Sequence, residues 1–202
     1  MNAFVPSTPA AGFNDPVQQS QQAFRHLLQA LAHPGRITPM PLQVGHPASL
    51  TPAMAAALLT LCDLDTPVWL GPGCDDAETA TWLRFHTGAP LTAQASDAAI
   101  VVAVAPPVLE QLGWGSDVAP ERGATLLLAV EGFDGAANLM LTGPGIRERQ
   151  PVSGCGLGGD FWRQRAVMRD AFPRGVDIYL VAVDAILGLP RSTQVQFGAK
   201  GA

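Results

Sequence analysis

Three nearly unbroken apolar runs constrain this chain more than anything else in it: Ala98–Ala105 (AAIVVAVA), Ala124–Val130 (ATLLLAV) and Val176–Val183 (VDIYLVAV). A strand with one wet face alternates apolar and polar residues. A run without alternation marks a strand covered on both faces. Helical segments separate these runs, and helices on both sides of a buried sheet make a three-layer α/β domain. A length of 202 residues suits one such domain and is short for two.

The helical segments can be placed from their boundaries. After Asp15-Pro16 a helix begins, with Phe24, Leu27, Leu28 and Leu31 at i, i+3, i+4 and i+7 as its expected apolar face. It stops at His33-Pro34-Gly35, because the residue before proline avoids the helical region and glycine suits the exit. Thr51-Pro52 open a second helix, Thr as cap and Pro at its first position. Its MAAALLTL is apolar all round, which predicts burial on most faces. Thr66-Pro67 break it before a short strand, Val68-Trp69-Leu70. Asp75 is placed to cap a third helix, with Glu78 three residues later, carrying Trp82, Leu83 and Phe85 and ending near His86. Asn138–Thr142 reads as a shorter strand before the Gly143-Pro144-Gly145 turn. Asp160 caps a fourth helix to about Phe172, and Thr193–Phe197 is a weak terminal strand. Residues 1–16, rich in Pro, Ala and Asn, read as a flexible arm, and 17–202 as a single domain without internal repeats.

Composition narrows the partners. Hydrophobic residues make up 48% and charged residues only 14%, against about 25% in ordinary globular proteins. So little charge suggests a surface facing other subunits, or a genome rich in Ala, Gly and Pro codons. A net charge of −5 argues against a nucleic-acid footprint. No stretch reaches the roughly 18 apolar residues of a membrane span, and the first residues lack a signal-peptide pattern. Cys62, Cys74 and Cys155 are an odd number without paired spacing, which fits structural thiols in a reducing cytoplasm. No CxxC or HxxxH suggests a metal site.

The only lysine, Lys200, stands third from the end. A phosphate loop of the GxxxxGK[ST] kind has no lysine to use, and a tail lysine does not provide the internal Schiff base of pyridoxal phosphate chemistry. Gly154-Cys155-Gly156-Leu157-Gly158-Gly159 matches GxGxxG before a helix. A dinucleotide fingerprint also needs a strand directly before it and an acid ending the next strand. RERQPVS does not read as a strand, and Asp177 starts its strand rather than ending it. The run is expected to be a glycine-rich loop, and Gly143-Pro144-Gly145 a turn where a backbone approach to an anion stays open.

Arginine supplies 11 of the 12 basic residues and is the preferred bidentate donor to phosphate and phosphonate oxygens. Arg84 and His86 close the third helix beside Thr87. They either contact an anion or nucleotide, with Asp63 and Asp65 orienting them, or secure the helix end through a salt bridge to one of those aspartates. Arg191, in Leu189-Pro190-Arg191-Ser192-Thr193, either reaches a phosphate or pins the carboxyl-terminal segment to the core. Glu121 reads as a turn acid, and Arg165 and Arg169 as a mildly repulsive i, i+4 pair. No Ser/His/Asp, Cys/His or paired-carboxylate constellation stands out.

The chain as a whole resembles a known family. LTLCDLDTPVWL and LRFHTGAP, preceded by FRHLLQALAHPG and followed by APERGATLLL, LTGPGI, FPRGVDIYL and LPRST, are similar to the H subunit of the bacterial carbon–phosphorus lyase system. The likeness runs from about Gln18 to Phe197. It implies a central mixed sheet like a truncated pyridoxal-phosphate-dependent transferase domain without the cofactor, and no other cofactor. It further implies a cytoplasmic homodimer that assembles with the G, I and J subunits and helps couple ATP and a phosphonate into ribose 1-phosphonate 5-triphosphate, with an ATP or phosphonate contact open. It carries no catalytic residue over. The alternative is an independent enzyme, or an anion- or nucleotide-binding protein, using Asp63, Asp65, Arg84 and His86.

Overall fold

A computed structural model describes residues 9–197; residues 1–8 of the expected arm and Lys200 in the tail lie outside them. The apolar runs form the middle of a six-stranded mixed sheet. Its strands are β1 (Ile37–Pro39), β2 (Val68–Leu70), β3 (Ile100–Ala103), β4 (Thr125–Ala129), β7 (Asp177–Val181) and β8 (Ala185–Leu189), in the order β1-β8-β7-β4-β3-β2. Strands β2, β3, β4 and β7 are mutually parallel, while β8 pairs antiparallel with β7 and β1 antiparallel with β8 at one edge. A separate antiparallel sheet joins β5 (Ala137–Thr142), β6 (Gln150–Ser153) and β9 (Gln194–Phe197) in the order β6-β5-β9.

Alternate side chains of the central strands enter two different cores, as the two-residue period of a strand requires. Val102, Leu127, Tyr179 and Val181 pack with α1 (Pro16–Ala32), α2 (Pro52–Leu61) and α3 (Ala77–Thr87). Val101, Leu126, Leu128 and Leu180 pack with α4 (Gly159–Met168) and the small sheet. The result is an α/β domain of three layers, in which the outer layer opposite the three helices is itself a sheet with one helix.

Helix α2 follows its sequence closely. The Thr51 hydroxyl accepts from Met54 N at 3.2 Å and donates to Ala182 O at 3.1 Å, which ties the cap to the turn after β7. Ala53 to Leu58 are all buried. The helix ends at Leu61, before Thr66-Pro67 is reached.

Several expectations need correction. In α1 the buried face is Ala23, Leu27 and Ala30, whereas Phe24 and Leu28 are 53% and 54% exposed. The reason is close approach: a Cβ on Gly188 of β8 would meet Ala30 O at 2.4 Å, so only the small face of the helix fits there. Asp76, not Asp75, caps α3, accepting from Thr79 N at 2.8 Å. Helix α4 starts at Gly158 without a side-chain cap, and Asp160 lies inside it. QPVS is a strand after all, β6, because its partner β5 supplies the pairing that its proline and polar residues do not advertise. Within the expected arm, Phe13 bridges Val44, and Ala10 and Phe13 pack against the helical core.

Candidate functional site

The turn after α2 and the end of α3 are neighbours. Gly88 terminates α3 in the left-handed region at φ 71°, and a Cβ there would meet Leu64 Cδ2 at 2.5 Å. Glycine is thus favoured for conformation, while the Leu64 side chain, exposed and flexible, can move aside. Asp63 folds onto its own turn: Oδ1 accepts from Thr66 Oγ1 at 2.6 Å and from Asp65 N at 3.0 Å. The Thr66 hydroxyl, then the Asp65 amide, hold the Asp63 carboxyl below its ordinary range. Asp65 and Arg84 are exposed. Among the described residues Arg84 forms no ion pair with either aspartate. His86 is engaged elsewhere, its Nε2 2.9 Å from Ala10 O and its ring against Trp82 and Phe85. The four residues therefore share a surface without converging on a point. Leu64 and Phe85, 75% and 68% exposed, lie among them.

Arg191 lies at the same, amino-terminal end of the parallel strands but three strands away, where Asp177 begins β7 in register with the start of β2. Its backbone N and its Nη2 donate to the two Asp177 oxygens at 2.7 Å each, and its Nη1 donates to Pro120 O. The side chains are 14% and 23% exposed, so the pair latches the turn after β8 onto the sheet. Pinning, rather than reaching outward, is what this geometry does. Nearby, Arg165 is fully buried; Nη2 donates to Pro190 O, while Nε and Nη1 have no partner among the described residues. Burial pulls its pKa down to about 10.

The glycine-rich run precedes a helix as expected, and it does follow a strand, contrary to the sequence reading. Even so, that strand lies in the small antiparallel sheet, and Asp177 is committed to Arg191. A dinucleotide fingerprint requires a parallel βαβ unit with its acid free for a ribose. Cys155 takes a left-handed φ of 53° within the run, and burial pushes its thiol up to about 11. Cys62 and Cys74 are also buried, with pKa raised to about 12 and about 11. The histidine contacts recorded among the described residues are to backbone carbonyls of Gln29, Pro47 and Ala10, not to a hydroxyl or thiol. Among the described residues no thiol or hydroxyl is thereby paired with a histidine.

Sequence reasoning missed a concave surface that forms where the end of α1 meets the small sheet. A cleft of about 560 Å³ is walled by Ile37, Phe133, Val152 and Leu187. A second, of about 600 Å³, is lined by His33, Arg36, Arg147 and Arg149, with Glu148 as its one acid. Arg36 and Gln150 belong to both. The Gly143-Pro144-Gly145 turn delivers Arg147 and Arg149 to this place, Ile146 N donating to Gly143 O at 3.1 Å. Arg36 comes from beyond the His33-Pro34-Gly35 exit of α1. No local pattern links these arginines, since 111 positions of chain separate Arg36 from Arg147.

Comparison with known proteins places most of the chain. Residues 11–196 match the family model of the bacterial phosphonate metabolism protein PhnH. A Rhizobium meliloti (strain 1021) protein, alpha-D-ribose 1-methylphosphonate 5-triphosphate synthase subunit PhnH, is 37% identical over 190 residues, 93% of this chain and 95% of the relative. A Stutzerimonas stutzeri protein, the putative C-P lyase subunit protein HtxG, is 32% identical over 185 residues, 91% of this chain and 88% of that protein.

Proposed function

The chain belongs to the bacterial phosphonate metabolism protein (PhnH) family, and from that membership we propose that it is a non-catalytic or co-catalytic subunit of a carbon–phosphorus lyase complex. Its task is to support formation of a ribose 1-phosphonate 5-triphosphate from ATP and a phosphonate. The observation that carries this reading is the 37% identity to a synthase subunit over nearly the full length of both chains.

In this reading the chain is a cytoplasmic homodimer that also joins the G, I and J subunits, on a scaffold of the pyridoxal-phosphate-dependent transferase kind that has lost its cofactor. The surface formed by Asp63, Asp65, Arg84 and His86 is an interface: exposed Leu64 and Phe85 give it an apolar centre and the charges give it a rim. Arg191 serves it only by holding the domain together.

Co-expression with the G, I and J subunits tests the proposal. The expected result is a stable complex containing this chain, and one weakened by Phe85→Glu with the melting temperature of the isolated chain unchanged. Recovery of the chain free of all three subunits would overturn it.

A further inference from the structure

We propose that the two joined clefts at the end of α1 form an anion site for an oligophosphate, and that the ligand is a nucleoside triphosphate. The choice of a nucleotide rests on the subunit reading above; the anion site rests on the arginines. Arg36, Arg147 and Arg149 are exposed and form no ion pair among the described residues. Three guanidinium groups against Glu148 leave a surplus of two positive charges in one concavity, on a chain whose net charge is −5. The carboxyl-terminal end of α1, with its partial negative charge, offsets only about half a charge of that surplus. Guanidinium groups spread around a groove suit the oxygens of a phosphate chain, each able to donate two bonds.

The neighbouring cleft decides what the phosphates are attached to. Phe133 and Ile37 offer an apolar surface directly beyond Arg36, and Gln150 stands at the seam with an amide able to donate and accept. A flat, partly apolar ring with polar edges fits that surface, as binding clefts pair apolar walls with few polar groups. The phosphates would lie on Arg147 and Arg149, with Arg36 between the two parts.

Calorimetric titration of the isolated full chain with ATP, inorganic tripolyphosphate and adenosine tests the site. ATP is expected to bind one per chain, tripolyphosphate more weakly, and both less well as salt is added. The double variant Arg147→Gln/Arg149→Gln should lose at least about tenfold in affinity for both phosphates, with its melting temperature unchanged. Phe133→Ala should remove only the advantage of ATP over tripolyphosphate. No binding of either phosphate, or binding undiminished in the double variant, overturns the proposal. So does a double variant whose only defect is loss of the G, I or J subunits, which would make the groove a protein contact. Because the titration needs no partner, its failure leaves the subunit reading intact, and a failed co-expression leaves the titration to stand alone.

Discussion

Arg191 shows how one residue can settle between two readings that its neighbourhood in sequence leaves open. Flanked by Pro190 and Ser192, it could point outward or inward, and only the fold brings Asp177 and the Pro120 carbonyl to it. Breaking a mostly buried pair leaves the other charge uncompensated, so Arg191→Met should cost about 2–4 kcal/mol in denaturant unfolding. A loss below about 0.5 kcal/mol would mean that the latch is ornamental. Arg84, by contrast, is exposed and unpaired among the described residues, and Arg84→Ala should leave stability within about 0.5 kcal/mol of the parent. The thiols make a pH prediction. Burial raises all three above their ordinary value of 9.0, to about 12 for Cys62 and about 11 for Cys74 and Cys155. The unfolded chain releases these protons first, so their contribution is complete below pH 9 and is lost as pH rises through about 11 for Cys74 and Cys155 and about 12 for Cys62. Stability should therefore fall between pH 9 and 10, by about 1 kcal/mol per thiol. Native thiols should also resist a disulfide reagent at pH 8; rapid modification of all three in the folded chain would contradict the burial.

Among the elements, the helices and central strands were legible because their patterns are local. The Thr51-Pro52 start of α2 and the unbroken apolar β3, β4 and β7 need no partner to be recognised. The missed strands β1, β6 and β8 depend on neighbours: β1 and β6 contain prolines, and β8 follows β7 after a turn of three residues, Ala182 to Asp184. The wrong face of α1 has the same origin. Its 3.6-residue period fits both a large stripe and a small one, and the choice is made by Gly188 on a strand 158 positions from Ala30. Gly188→Ala would force backbone apart at 2.4 Å, and should destabilise by about 3 kcal/mol or abolish folding. A variant as stable as the parent would show that α1 does not sit on β8 as described. The turned-out Phe24 and Leu28 are then free to meet something else.

For the molecule as a whole, family membership was legible from the order of its motifs, while the basic groove was not. His33, Arg36, Arg147 and Arg149 meet only because α1 exits beside the small sheet, and that sheet was not foreseen. In the proposed role this domain works through its partners rather than alone. The most direct measurement is adenine release from ATP and methylphosphonate by three samples: the purified chain, the remaining synthase subunits without it, and the mixture. Release is expected from the mixture only. Adenine released by the chain alone, and abolished by a substitution within it, would contradict the claim.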